Sequence, residues 1–188
     1  MTARGGLNLC LIGIASFSML VANARGDTPD PSLRVVIIRH GEKPGDGDNL
    51  SCKGLNRSLA LPPVLFKKFG IPNHTYVPSL ELGKSTKHSR MFQTVTPMAV
   101  KYNLAITSKF DEKDTTAAAN EVLTKKKTVL MVWGHSAIPD LAKAFGVDTP
   151  PNWVGSDFDS IWIITYPNGK AVFSQDKEGI LPSDDCPF

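Results

Sequence analysis

The stretch RVVIIRHGE (34–42) places a short β-branched run directly before an arginine and His40. An apolar run of this length is typical of a strand that is buried on both faces of a parallel sheet. A second run, TVLMVW (128–133), has the same character and leads through one glycine into His135. The two strongest predicted strands therefore both end at a histidine.

The rest of the chain alternates between helical and strand patterns. The predicted helices cover 55–69, 89–102, 116–125 and 139–145. We expect the first helix to break at Pro62 and Pro63, because proline is tolerated only in the first turn of a helix. The segments 160–165 and 171–174 flank a Pro-Asn-Gly turn and predict a hairpin. These patterns predict a three-layer α/β domain, a mostly parallel sheet with helices on both faces.

The N-terminus has the pattern of a secretory signal peptide. Arg4 precedes an apolar run that ends in Ala-Asn-Ala. The alternative is an uncleaved membrane anchor, since the uncharged run 5–24 is just long enough to span a bilayer. We expect a signal peptide over 1–24, a linker over 25–33 and one domain over 34–188. The mature protein would then be secreted or periplasmic, with no stable membrane insertion.

Composition excludes several classes of protein. With 188 residues, 41% of them hydrophobic, the chain can form a core without metals or disulfides. The net charge of +3 is small and scattered, which argues against a nucleic-acid partner. Three cysteines without a Cys-x-x-Cys pair exclude a disulfide-dense scaffold and a cysteine zinc site. After cleavage Cys52 and Cys186 remain, and the sequence leaves open whether they pair in an oxidising compartment or stay free.

The two histidines and a neighbouring arginine point to phosphate chemistry. In open α/β sheets, ligands bind beyond the carboxyl ends of the strands, where His40 and His135 are expected. Arg39 presents a guanidinium fork that suits phosphate oxygens. Its charge also disfavours the imidazolium form, so His40 stays neutral and nucleophilic near neutral pH. These residues predict a pocket for a phosphoryl group.

Several segments then resemble one known family. Residues 39–42 (RHGE) are similar to the Arg-His-Gly signature of the histidine phosphatase superfamily, the relatives of cofactor-dependent phosphoglycerate mutase. Residues 50–54 (LSCKG) resemble the segment that opens the family's first helix, and 89–94 (SRMFQT) resemble the region that supplies a second phosphate-binding arginine. Residues 129–141 resemble the segment that contains the second catalytic histidine. These matches follow the family's order along the chain.

The resemblance implies a phosphoglycerate mutase-like fold and a phosphatase that hydrolyses a phosphomonoester. His40 would accept the phosphoryl group as a phosphohistidine, which water then hydrolyses. Arg39, Arg90 and His135 would surround the phosphate and stabilise its charge in the transition state. A metal site made of His40, Glu42 and His135 is the competing use of these residues. Because the two arginines would repel a cation, we expect no metal and no other cofactor.

The general acid is less clearly indicated. The segment KFDEKD (109–114) offers Asp111, Glu112 and Asp114, and no motif chooses among them. Glu112 is preferred for its type and its approximate position in the family. The acid phosphatase branch has an aspartate directly after the second histidine, where this chain has Ser136. Carboxylates before a helix are also explained by the helix dipole alone.

A basic segment before the second arginine bears on the substrate. Lys84, Lys87 and His88 are expected either to meet an anionic substrate or to lie in a solvated loop. The predicted partner is a small phosphorylated molecule, and the sequence does not indicate an oligomeric state. The alternative to an exported phosphatase is a catalytically weak protein that binds or senses a phosphate ligand. A mutase ranks third, since family mutases carry extra segments over the site.

Overall fold

The computed structural model describes residues 1–2, 28–80, 86–186 and 188. The predicted signal peptide, apart from its first two residues, and the start of the linker lie outside the described residues. The same holds for Lys84. Within the described part of the chain, no helix is long and apolar enough to cross a membrane.

A six-stranded sheet forms the centre of the domain. The strands are β1 (Arg34–Arg39), β2 (His74–Tyr76), β3 (Ile106–Thr107), β4 (Thr128–Trp133), β5 (Ser160–Thr165) and β6 (Val172–Lys177). Their order is β3-β2-β4-β1-β5-β6. The first four strands are parallel to one another, β5 is antiparallel to β1, and β6 is antiparallel to β5. The predicted hairpin forms β5 and β6, and its turn contains Gly169 at a φ of 72°, which glycine adopts without strain. The mostly parallel sheet is confirmed.

Four helices cover the two faces of this sheet. They are α1 (Cys52–Phe69), α2 (Ser89–Tyr102), α3 (Thr115–Leu123) and α4 (Ile138–Ala144). Side chains of successive strand residues point to opposite faces. Val36 and Ile38 therefore pack with α1 and α2, whereas Val35 and Ile37 pack with α3 and α4. The predicted three-layer α/β architecture is confirmed.

The predicted break at Pro62 and Pro63 is wrong, because α1 continues through both residues. A proline inside a helix removes a backbone hydrogen bond and costs about 3 kcal/mol. Leu61 and Leu65 on the same helix are fully buried in the core beneath α1. Each contributes about 1.5–3 kcal/mol through burial of apolar surface, which offsets the loss. One of the freed carbonyls belongs to the exposed Leu59, where water can reach it.

Cys52 and Cys186 form a disulfide bond that joins the first residue of α1 to the end of the chain. Hydrogen bonds hold the same tail, since the side-chain amide of Asn56 donates to the carbonyl oxygens of Ser183 at 3.0 Å and Asp185 at 2.6 Å. The C-terminal tail is therefore fixed against the first turns of α1. The sequence had left this pairing open.

Candidate active site

The two histidines meet at one edge of the sheet. β1 and β4 are parallel neighbours whose last residues, Arg39 and Trp133, are paired in register. His40 follows β1 directly, and its backbone N–H donates to the carbonyl oxygen of Trp133 at 3.3 Å. His135 lies two residues beyond the end of β4. Its Nδ1 is 3.4 Å from Nη2 of Arg39, so the structure brings these predicted site residues together.

Among the described residues, the ring of His40 forms a hydrogen bond through Nδ1 and none through Nε2. Nδ1 lies 2.7 Å from the carbonyl oxygen of Gly41, which can only accept a hydrogen bond. Nδ1 must therefore carry the proton of the neutral ring, and Nε2 keeps its lone pair. Burial, together with the charges of Arg39 and Arg90, lowers the pKa of His40 to about 4. At neutral pH this histidine is uncharged and ready to attack an electrophile.

Two glycines allow the loop after His40 to lie against α1. A Cβ atom at Gly41 would come within 2.8 Å of the carbonyl oxygen of Gly54. A Cβ atom at Gly54 would come within 2.1 Å of the carbonyl oxygen of Glu42. The N–H of Gly41 also donates to Oγ1 of Thr94 in α2 at 2.9 Å. The close approach of this loop to α1 explains why the RHG and LSCKG segments each need their glycine.

Backbone carbonyl groups and an aromatic ring orient Arg39. Its Nη1 donates to the carbonyl oxygens of Gly155 at 2.7 Å and Asp157 at 3.2 Å. The ring centroid of Phe158 lies 3.7 Å from the guanidinium carbon. Burial lowers the pKa of Arg39 to about 10, so the group remains charged at neutral pH. The loop between α4 and β5 that supplies these contacts carries no periodic pattern, so its role could not be predicted from the sequence.

Arg90 reaches the same edge from the first turn of α2. It is buried, and its Nη2 donates to the carbonyl oxygen of Gly47. Burial lowers the pKa of Arg90, and the negative charges of Asp48 and Glu112 partly oppose this shift. Within the described residues, neither Arg39 nor Arg90 forms a salt bridge with a carboxylate. Their positive charges remain available for an anion.

His135 presents a hydrogen-bond donor to this edge. A guanidinium can only donate, so Nδ1 of His135 accepts from Arg39 and Nε2 carries the proton of the neutral ring. Burial is the main cause that lowers the pKa of His135, with the charge of Arg39 second. The neutral ring therefore offers an N–H group beside the two arginines.

Glu112 lies against the backbone that leads to His135. A Cβ atom at Gly134 would be only 1.7 Å from Oε1 of Glu112. The indole N–H of Trp133 donates to the carbonyl oxygen of Glu112 at 2.8 Å and fixes the segment between β3 and α3 at this edge. Burial raises the pKa of the Glu112 carboxyl and thereby favours its protonated form. A carboxyl group that keeps its proton can act as a general acid.

Comparison with solved structures identifies the fold. Neither a protein-family model nor a curated protein sequence matches the chain. The protein histidine phosphatase SixA in complex with tungstate is 18% identical, with a TM-score of 0.50, over 77% of this chain and 97% of that one. This is the histidine phosphatase fold.

Two further structures share the histidine phosphatase fold. The mycobacterial glucosyl-3-phosphoglycerate phosphatase bound to inorganic phosphate is 16% identical, with a TM-score of 0.52, over 76% of this chain and 95% of that one. The phosphoserine phosphatase of Entamoeba histolytica in complex with phosphoserine is 12% identical, with a TM-score of 0.53, over 78% of this chain and 97% of that one. This chain therefore spans nearly the whole length of each protein.

The other two carboxylates before α3 serve the local backbone of this histidine phosphatase fold. Asp114 is the N-cap of α3 and accepts from the backbone N–H of Ala117 at 3.2 Å. Asp111 accepts from the backbone N–H of Lys113 at 2.9 Å. Of the three candidates, Glu112 is the one whose carboxyl group reaches the strand end beside the second histidine.

Glu42 is held by a buried arginine of α1. Arg57 in α1 donates from Nε and Nη2 to the two carboxylate oxygens of Glu42 at 2.9 and 2.8 Å. The third nitrogen, Nη1, donates to Glu178 at 2.6 Å. Both oxygens of Glu42 are thus engaged by a cation, which does not fit the competing metal site. No group of three metal-binding side chains occurs in the parts of the chain that are described.

A cleft of about 580 Å³ opens beside Glu112 and Ser136. Its charged lining is mixed, with Asp111 and Asp140 opposite in sign to Lys113. The cleft therefore adjoins Glu112, the residue that the sequence analysis prefers as general acid. Lys87 is exposed and does not line this cleft.

Proposed function

We propose that this protein is an exported, metal-independent phosphatase that hydrolyses a small phosphomonoester through a phosphohistidine on His40. One observation carries the proposal. A neutral histidine with a free Nε2 lies among buried guanidinium groups that have no carboxylate partner in the described structure. Such a pocket offers a nucleophile and a site for an anion in the same place.

The first half-reaction transfers the phosphoryl group to the enzyme. Nε2 of His40 attacks phosphorus, and the bond to the leaving oxygen breaks on the opposite side. Arg39 and Arg90 stabilise the charge on the equatorial oxygens, which is the main contribution that a protein makes to this reaction. Glu112 delivers its proton to the leaving oxygen, so that a neutral alcohol departs.

The second half-reaction returns the enzyme to its starting state. Water attacks the phosphohistidine, and the Glu112 carboxylate now accepts the proton of that water. The bond between phosphorus and Nε2 breaks, and the electron pair returns to the ring of His40. Inorganic phosphate leaves, and no group beyond these side chains has to supply charge or protons.

The comparisons support the substrate class only broadly. The similar structures include proteins described as a protein histidine phosphatase, a glucosyl-3-phosphoglycerate phosphatase and a phosphoserine phosphatase. Their common chemical feature is a phosphoryl group on a small molecule or a side chain. A small phosphomonoester is therefore the class that we propose for this chain.

Export is part of the same proposal. The disulfide between Cys52 and Cys186 suits an oxidising compartment, as does the N-terminal pattern of a signal peptide. N-terminal sequencing of the protein from its native host should find a start near Arg25. Recovery of Met1 on membrane-associated protein would instead show an uncleaved anchor.

Phosphate release from an aryl phosphate in the presence of EDTA tests the activity. The wild-type protein should turn over, and His40→Ala should lose turnover while it stays folded. His74→Ala is the matched control, because His74 begins β2 at the opposite end of the parallel strands. Wild-type enzyme quenched in alkaline denaturant should carry a bound phosphate that is retained in base and released on acidification. Tight phosphate binding without turnover would favour the binding or sensing protein, and a strict requirement for divalent ions would contradict the mechanism.

A further inference from the structure

A second histidine holds the carboxyl group of the proposed acid. His88 lies directly before α2, and its Nε2 is 3.1 Å from Oε2 of Glu112. Its other ring nitrogen, Nδ1, lies 2.5 Å from the carbonyl oxygen of Ser79. Both side chains are mostly buried, with 12% of His88 and 21% of Glu112 exposed. His88 therefore bridges a backbone carbonyl group and the acid, rather than pointing a free ring at a substrate anion.

We propose that His88 is a positioning residue that shares the acid's proton with Glu112 and directs the carboxyl group toward the leaving oxygen. This inference rests on the proposed function. The carbonyl oxygen of Ser79 can only accept, so Nδ1 carries a proton in every state of the pair. In the neutral ring, Nε2 is then an acceptor for the protonated carboxyl group. When the shared proton lies on the ring, Nε2 donates to the carboxylate instead.

Charged groups of both signs surround this pair. Among the described residues they are Asp111 and Lys113 on the segment of Glu112, Arg90 in α2 and Asp140 in α4. Two of these groups are positive and two are negative. The ring of His88 is in direct contact with the carboxyl group, its Nε2 lying 3.1 Å from Oε2.

The proton balance follows from this arrangement. In the first half-reaction the bond from phosphorus to Nε2 of His40 forms, and the bond to the leaving oxygen breaks. If the ring of His88 holds the shared proton, this proton first moves to the carboxylate of Glu112. The leaving oxygen then takes the proton from Glu112. The pair is then a carboxylate beside a neutral ring. In the second half-reaction the attacking water returns one proton to the pair, and the electron pair of the breaking bond returns to His40.

The variant His88→Gln tests this role, because an amide can still hydrogen-bond to Glu112 but cannot share a proton. Wild type and variant are compared from pH 5 to 9 on an alkyl phosphate and on an aryl phosphate with a good leaving group. The basic limb of the alkyl phosphate profile should move down, because the amide of glutamine cannot take up the shared proton. Alkyl phosphate turnover at neutral pH should fall by about 10- to 100-fold, which lies at the lower end of what general acid help contributes. Aryl phosphate turnover should change by less than about threefold, because that reaction needs little general acid help.

Two controls separate this inference from the proposed function. His74→Gln should leave both profiles unchanged, and adding His88→Gln to Glu112→Gln should cause no further loss. If the wild type turns over, three results would overturn the role of His88 alone. They are an unmoved basic limb, equal losses on both substrates, and additive losses in the double variant. Absence of turnover in the wild type, or its persistence in His40→Ala, would overturn the proposed function and this inference with it.

Discussion

Gly134→Ala is expected to displace the proposed general acid without replacing any of the proposed catalytic side chains. The new Cβ atom would lie 1.7 Å from Oε1 of Glu112, whereas ordinary contacts begin at 3.4 Å. The carboxyl group must therefore retreat by about 1.7 Å, the difference between these two distances. Hydrogen-bond reach for proton transfer covers only about 2.6–3.2 Å, so this displacement takes the acid out of range.

The expected loss depends on the leaving group. General acid catalysis contributes about 10²–10⁴-fold for a poor leaving group, and a misplacement of about 1 Å already costs on the order of 100-fold. Hydrolysis of an alkyl phosphate by Gly134→Ala should therefore fall at least about 100-fold. Hydrolysis of an aryl phosphate with a good leaving group should fall only mildly, since its departing oxygen needs no proton.

Stability should change little, which makes the result easy to interpret. Gly134 does not have a positive φ, and the atom it would meet is the end of a flexible side chain. Gly45→Ala is the matched control, because a Cβ atom there would meet nothing within 4 Å. The assay is steady-state phosphate release on both substrates, with thermal unfolding measured in parallel. Wild-type activity on the alkyl phosphate, or equal losses on both substrates in a folded variant, would refute the placement of Glu112.

Three further outcomes are expected. Glu112→Gln should slow the hydrolysis of alkyl phosphates strongly and that of activated aryl phosphates mildly. Asp111→Asn and Asp114→Asn should not show this contrast. Equal rates in all three variants would show that the acid does not lie in this segment. Burial lowers the pKa of His40 to about 4, so Nε2 of this histidine stays unprotonated above that pH. For an aryl phosphate, kcat/KM should therefore fall about tenfold per pH unit only below pH 4. An acidic limb near the ordinary histidine pKa of about 6.5 would contradict this. Cys52→Ser opens a loop of 134 residues and should lower the free energy of unfolding by up to about 5 kcal/mol in denaturant titrations, and an unchanged midpoint would show that the bond does not form.

The positions of the two histidines could be predicted because they depend on strong and local signals. A continuous β-branched run indicates a buried strand, and parallel strands end at a common edge. His40 and His135 each follow such a run within two residues. Their meeting therefore required no knowledge of side-chain packing. The continuation of α1 through Pro62 and Pro63 could not be predicted in this way, because local helix preference carries no information about how much apolar surface the helix buries.

The preference for Glu112 as the acid came from the family resemblance, and the residue pattern alone left three carboxylates open for a different reason. The strand before it, β3, has only two residues, so alternation cannot fix which way the following side chains point. The choice is made by contacts with distant parts of the chain. Trp133 anchors the backbone of Glu112, and Gly134 leaves room for its carboxyl group. His88 then holds the other carboxylate oxygen. None of these three contacts has a periodic pattern that sequence analysis could detect.

The partners of the buried arginines could not be predicted from the sequence either, and these partners determine the charge of the site. Arg57 is as buried as Arg39 and Arg90, but carboxylates neutralise it. Backbone carbonyl groups hold the other two instead, and a carbonyl group orients a guanidinium without cancelling its charge. A buried cation that is oriented but not neutralised favours an anion as its partner. The fold thus separates Arg57, which stabilises the loop after His40 through Glu42, from two arginines whose charge is not neutralised. Part of this difference depends on distant residues, because Arg39 donates to Gly155, 116 positions away, and Arg57 to Glu178, 121 positions away.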